Sequence, residues 1–104
     1  MSRFSEDLAV MQANGYKLNG RQIQFPIWNI EGVSVEDLNL SVRAGNGLKR
    51  AGIMTIDEII GRDLGRVRNL GAVSVKEIKN AVLNYSYEHM TPRQKKEFWE
   101  SILV

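Results

Sequence analysis

The chain has 104 residues, of which 43% are hydrophobic and 25% charged, values ordinary for one soluble globular domain with a real core. It contains no cysteine and one histidine, His89, so disulfides, thiolate zinc sites, cysteine nucleophiles and multi-histidine metal sites are excluded. The net charge of +2 is unevenly distributed: residues 41–80 carry eight basic and four acidic side chains, whereas residues 1–40 carry three and five, which modestly favours a nucleic-acid partner.

The first third of the sequence predicts a small appended element over residues 1–32. Ser5 is a suitable N-cap for a short helix, and Gly15 is a suitable stop. Asn19-Gly20 lies between two alternating runs, which is the strongest local signal for a β-hairpin and predicts one over residues 16–25.

Two segments in the middle of the sequence, 48–60 and 67–79, repeat each other at an offset of nineteen residues. The copies share a glycine, a Thr or Ser three residues later, and a Glu three residues after that. These are Gly52, Thr55 and Glu58 in the first copy and Gly71, Ser74 and Glu77 in the second. Each S/T-x-x-E run is a capping box that starts a helix. Each copy therefore predicts a helix, a glycine hairpin and a second helix, whose first N–H groups offer a place for a phosphate.

Other cap-forming residues predict further helix starts. They are Ser34 before a short turn, Ser41 before a helix to about Ala51, Asp63 before a very short helix, and Thr91-Pro92 with Gln94 as a third capping box. Gly45 and Gly47 inside the Ser41 helix indicate close packing or a close ligand. We predict a mainly α fold, a compact helix-hairpin-helix domain of four to five short helices over 33–84, with the N-terminal helix and β-hairpin and a C-terminal helix over 85–104.

Residues 34–83 resemble the C-terminal domain of the bacterial RNA polymerase alpha subunit. The resemblance is carried by D-L-N-L-S-V-R-A-G-N-G-L-K-R-A-G-I-M-T-I-D-E at 37–58 and by R-N-L-G-A-V-S-V-K-E-I-K at 68–79. It covers about half of the sequence and implies a compact all-helical domain. Such domains bind the minor groove of A/T-rich DNA upstream of promoters and are docking surfaces for transcription regulators. The segment 61–66 is about three residues shorter than in that family.

The resemblance also implies site residues. The arginine that enters the minor groove matches Arg43, and its neighbouring asparagine matches Asn46; the hairpin glycine, the helix-capping serine and the glutamate one turn on match Gly71, Ser74 and Glu77. Family members commonly carry basic residues where this chain has Ala72 and Val73. We expect Arg66, Arg68, Lys76 and Lys79 to supply the missing positive field around phosphates.

Two other classes of function compete with DNA binding. The apolar Ala72 and Val73 at the hairpin make a protein-docking module the alternative, one that binds transcription factors or competes with the polymerase's own alpha domain. An enzyme is disfavoured, because the sequence has no nucleophile–histidine arrangement, P-loop or dinucleotide fingerprint. No apolar run approaches the roughly 20 residues of a membrane span. We therefore expect a cytoplasmic, nucleoid-associated protein with an A/T-rich duplex as its partner, with RNA polymerase or regulators as further candidates, and with no cofactor.

Overall fold

The fold is mainly helical in the computed structural model, which describes residues 3–19 and 30–103. Five α-helices follow one another in these ranges: α1 (Arg3–Ala13), α2 (Val42–Arg50), α3 (Ile56–Ile60), α4 (Ala72–Glu88) and α5 (Pro92–Ile102). Two 3₁₀ turns, Val35–Leu38 and Leu64–Arg66, precede α2 and α4. Strand pairing within these ranges is limited to isolated bridges. The predicted mainly α class is therefore confirmed, and no described helix is long and apolar enough to cross a bilayer.

The predicted β-hairpin over 16–25 falls mostly outside the described residues. In its described part, Leu18 forms a single antiparallel bridge with Leu103 beyond α5. The Asn19 N–H donates to the Ile102 carbonyl oxygen at 2.8 Å. The backbone of this segment is thus paired with the end of α5, and the described residues give the hairpin no support.

The main core fills the space between the turn at Val35–Leu38, α2, α3 and the first half of α4. Its fully buried members include Ala44 and Leu48 from α2, Ile56 from α3 and Ile78 from α4. With Ile59 of α3 and Val82 of α4, which are also buried, each helix contributes two residues at the three- or four-residue spacing of a core-facing helix side. Burial of this shared apolar face fixes the position of α2 against α4.

One glycine in α2 allows a close approach that a side chain would obstruct. A Cβ atom built on Gly47 would lie 2.4 Å from Cδ2 of Leu70, in the loop before α4. By contrast, a Cβ on Gly45 would meet nothing within 4 Å. The predicted close packing is therefore confirmed at Gly47 and not at Gly45.

Most predicted helix starts are confirmed by hydrogen bonds. Ser34, Ser41, Asp63 and Thr91 all accept a backbone N–H at the start of their helices, and Thr91 with Gln94 forms the complete capping box. The Ser5 prediction is wrong, because α1 already begins at Arg3 and Ser5 lies inside it.

Thr55 is the N-cap of α3, but the predicted capping box is not formed there. The Gly32 N–H, at 3.0 Å, and the Thr55 hydroxyl both donate to Asp57, and these bonds hold the pKa of the Asp57 carboxyl below its usual value. The Thr55 hydroxyl is thus turned to a neighbouring carboxylate instead of the helix backbone. Glu58 accepts the Met54 N–H at 3.1 Å, one residue before the cap.

The second predicted capping box is wrong. α4 begins at Ala72 with Gly71 as its N-cap, so Ser74 is the third helical residue and only 5% exposed. The backbone turns earlier in this copy because Asn69, with a φ of 70°, takes the left-handed conformation that Gly52, with a φ of 75°, takes in the first copy. The two N-caps are therefore sixteen residues apart (55 and 71), and the offset of nineteen does not carry into the structure.

A second, aromatic core joins α1, α5 and the end of α4. Its buried members are Phe4, Tyr87, Met90, Phe98, Trp99 and Ile102. The rings of Phe4 and Trp99 are stacked with centroids 5.6 Å apart. α4 continues past the predicted domain boundary at residue 84 to Glu88, so the same helix contributes to both cores.

The hydroxyl of Tyr87 is the polar centre of the aromatic core. It donates to the Asp7 carboxylate and accepts from Nε1 of Trp99 at 3.2 Å. Burial, reinforced by the bond to Asp7, raises the pKa of Tyr87 to about 12, above its ordinary value of 10.0. The neutral phenol is therefore the form that the folded protein favours.

This shift predicts a loss of stability at high pH. The unfolded protein releases the Tyr87 proton near pH 10, whereas the folded protein holds it to about pH 12. The stabilisation is complete below pH 10 and disappears as the pH rises through this window. Urea titrations at about pH 9 and pH 11 should show it, and Tyr87→Phe should flatten the pH dependence. Tyr16→Phe, at an exposed tyrosine, is the control; an equal flattening by both variants would contradict the prediction.

Candidate functional site

An open groove of about 560 Å³ lies between α2 and the loop that leads into α4. We call it the first groove. It is lined by Arg43, Asn46, Gly47 and Arg50 of α2 and by Asn69, Leu70 and Gly71 of the loop. Arg43 and Gly71 thus share one surface, as the sequence predicts, and Asn46 lies on the same surface.

The α2 side of the groove follows from helical spacing. Arg43, Asn46 and Arg50 recur three and four residues apart, which places them on one face of the helix. The opposite face carries Ala44 and Leu48 into the core. Packing of that apolar face turns the two guanidinium groups and the amide outward, into the groove.

The loop side of the groove ends at a helix start that no side chain caps. Gly71, the N-cap of α4, has no side-chain oxygen to accept the first N–H groups of the helix. Ala72 and Val73 follow it and are exposed, Val73 by 84%. An uncapped start of a 17-residue helix presents backbone donors and the positive end of the helix dipole to an anion.

Glu77 is joined to the start of α2. Its Oε2 accepts the Ser41 N–H at 2.7 Å, and its Oε1 accepts the Ser41 hydroxyl at 2.8 Å. The same hydroxyl oxygen accepts the Ala44 N–H, so Ser41 caps α2 while Glu77 holds Ser41. We call this arrangement the Ser41–Glu77 clamp. It ties α4 to the first turn of the helix that carries Arg43.

The remaining predicted site residues lie elsewhere. Ser74 is buried beneath the first turn of α4. Lys76 and Lys79 line a third groove, with Ala72 and Val75, which shares only Leu70 with the first groove. Arg66 and Arg68 line a groove of about 470 Å³ that adjoins the first one, which we call the second groove.

The second groove is strongly basic. Its lining residues are Arg50, Arg62, Arg66 and Arg68, together with Asp63, Ala51, Val67 and Asn69. Four arginines and one aspartate give it a net charge of +3. Arg50 and Asn69 line both grooves, so the two are direct neighbours.

Sequence reasoning missed Arg50, Arg62 and Asn69. The signal for Arg50 was present, since it follows Arg43 by seven residues, two helical turns on the same face. Asn69 directly precedes a Leu-Gly pair, and asparagine is one of the few residues besides glycine that readily adopt the left-handed conformation. The signal for Arg62 was absent, because its position depends on how the short loop after α3 folds back toward α2.

Comparison with known families gives one match. The model of the family described as the C-terminal domain of the alpha chain of bacterial RNA polymerase matches residues 29–84, more than half of the sequence. No solved structure matches.

Several curated relatives are named DNA-directed RNA polymerase subunit alpha. The protein of Zygnema circumcarinatum is 43% identical over 65 residues, 60% of this chain and 18% of that relative. The protein of Syntrophomonas wolfei is 45% identical over 60 residues, 53% of this chain and 19% of the relative. The protein of Desulforamulus reducens is 49% identical over 51 residues, 46% of this chain and 16% of the relative. The matched region thus spans less than a fifth of the length of these relatives.

Proposed function

Because the chain belongs to the family of C-terminal domains of the bacterial RNA polymerase alpha subunit, we propose that its first groove binds the minor groove of A/T-rich duplex DNA. The observation that carries the proposal is the convergence of Arg43, Asn46 and Gly71 on one open surface. These residues come from two elements far apart in the sequence, and the close packing of α2 against the loop before α4 brings them to the same surface.

Each component of the groove has a chemical counterpart in such a duplex. The narrow minor groove of A/T-rich DNA has an enhanced negative potential that attracts an inserted arginine, which is the role we assign to Arg43. The Asn46 amide donates to base-edge acceptors or sugar oxygens. The uncapped N–H groups after Gly71 bind a backbone phosphate.

Ser74 and Glu77 have supporting roles in this proposal. Ser74 is buried, and Glu77 is negatively charged and already accepts two hydrogen bonds from Ser41. Neither residue is therefore suited to bind a phosphate. Glu77 instead orients the first turn of α2 and, with it, Arg43.

Through this DNA contact, the domain takes part in transcription by attaching RNA polymerase, or a regulator of it, to DNA.

Replacing Arg43 by alanine should weaken binding to an A/T-rich duplex about tenfold, because loss of one good groove contact costs roughly 1–3 kcal/mol. Binding to a G/C-rich duplex should change less, since the wider minor groove there gives the guanidinium less to gain. Fluorescence anisotropy with both duplexes at about 50 and 200 mM salt measures the two affinities and their salt dependence.

The matched control is Arg93→Ala, which removes an exposed arginine on α5 that lines none of the grooves described above. It should leave the preference for A/T-rich DNA intact. Equal affinities of wild type and Arg43→Ala for the A/T-rich duplex would defeat the assignment of the first groove.

Protein docking is the second candidate function. It is favoured by Val42 and Val73, which are 79% and 84% exposed at the starts of α2 and α4. The same salt series separates the two candidates. DNA affinity falls steeply with salt because counterions are released from the phosphates, whereas docking through apolar side chains is insensitive to salt.

A further inference from the structure

We propose that the second groove binds backbone phosphates of the same DNA duplex whose minor groove contacts the first groove. The surface that contacts DNA then extends past α2 onto the connection between α3 and α4. This inference rests on the proposed function, since it concerns the extent of that DNA contact. Its basis is the set of four arginines that the fold brings together here from α2 and from the connection between α3 and α4.

The arginines of the second groove differ in whether their charge is already paired. Nε of Arg66 lies 3.4 Å from Oδ2 of Asp63, the one acidic residue of the lining. Within the described part of the protein, Arg50, Arg62 and Arg68 have no such partner. The adjacent Lys49 is paired with Glu36 at 3.1 Å. Three guanidinium groups are thus left exposed and available to an anionic ligand.

The position of the second groove beside the first favours duplex DNA as its ligand. Arg50 and Asn69 line both grooves, so the two are direct neighbours and a polyanion that extends beyond the first groove meets the second. Duplex DNA presents a phosphate about every 3.4 Å along each strand, and arginine binds phosphate through two parallel hydrogen bonds. An acidic protein segment would satisfy the charge, but it would need no access to the first groove.

The test is the double variant Arg62→Gln/Arg68→Gln, which changes the second groove alone and spares Arg50. Each lost phosphate contact lowers the slope of log affinity against log salt by about 0.9, so the slope should fall by about 2. The ratio of wild-type to variant affinity should then be about tenfold larger at roughly 50 mM than at roughly 200 mM salt. The loss should be equal for A/T-rich and G/C-rich duplexes, because phosphates carry no sequence information.

The control is Arg93→Gln/Lys96→Gln, which removes the same two charges from exposed positions of α5. It corrects for the general effect of a lower net charge. Suppose that the wild type prefers A/T-rich DNA and that this preference depends on Arg43. If the two double variants then have the same slope of log affinity against log salt, the second groove does not bind phosphate, and this inference alone fails. A loss confined to one duplex would also overturn it. If wild type binds neither duplex, the proposed function fails and takes the inference with it.

Discussion

Replacing Trp99 by alanine should lower the free energy of unfolding by about 3–5 kcal/mol, the range for truncating a large buried aromatic side chain. Trp99 is 7% exposed, and its ring contacts Phe4, Tyr87 and Phe98. Its removal would leave a large cavity and take from the Tyr87 hydroxyl the donor that now lies 3.2 Å away. Urea denaturation followed by far-UV circular dichroism measures the change.

Trp99→Phe separates the two causes of that loss. It keeps most of the aromatic volume and removes the Nε1 hydrogen bond to Tyr87, so we expect a smaller loss of about 1–2 kcal/mol. Both grooves are built from α2, the loops around α3 and the start of α4, remote from the aromatic core. Folded Trp99→Ala should therefore bind DNA as wild type does at low temperature. A loss of stability below about 1 kcal/mol would mean that this core is not packed as described.

Replacing Glu77 by alanine should destabilise the protein by about 1–3 kcal/mol and also weaken DNA binding. The variant loses both bonds of the Ser41–Glu77 clamp, but both are solvent-exposed, so water partly replaces the lost carboxylate and the cost stays near that of one such bond. Removing a negative charge near phosphates would by itself strengthen binding. A weaker complex is therefore the signature of a displaced Arg43, and Glu77→Gln should restore part of the affinity.

Glu58→Ala is the matched control for the clamp. Glu58 also lies in the repeat and also accepts a backbone N–H, but its partner is Met54 in the loop before α3 and not the start of α2. The variant removes the same charge and a bond of similar kind. If Glu58→Ala and Glu77→Ala change DNA affinity equally after correction for the folded fraction, Glu77 has no positioning role.

The existence of most helices was predictable from local chemistry, whereas the residues at which the helices of the repeat begin were not. Ser34, Ser41, Asp63 and Thr91 each start a helix where their side-chain oxygen binds a nearby N–H, a rule that depends on a few adjacent residues. Ser74 does not start its helix, because the left-handed Asn69 turns the backbone two residues before the position that matches Gly52. Packing then buries the serine inside α4. The two copies of the repeat are thus alike in composition but not in the position of their caps.

The candidate site was likewise predictable in part: its residues on one surface were, and the contacts between its helices were not. Arg43, Asn46 and Gly71 were expected on one surface, and they are. Glu77 was expected to complete a cap within its own helix, but its partner is Ser41, 36 residues earlier in the sequence. Such a contact depends on the distance between packed helices, which no local pattern encodes. The same limit applies to Arg62, whose place in the second groove is set by the path of a short loop.

The single helix shared by both cores has a mechanical consequence. α4 has 17 residues, and at about 1.5 Å per residue it is a rod of about 25 Å. Its first turn borders the proposed DNA surface, and its last turn packs among the aromatic rings of the second core. A movement imposed on α1 or α5 would therefore be transmitted to the proposed DNA surface, because an unbroken helix resists both bending and twisting.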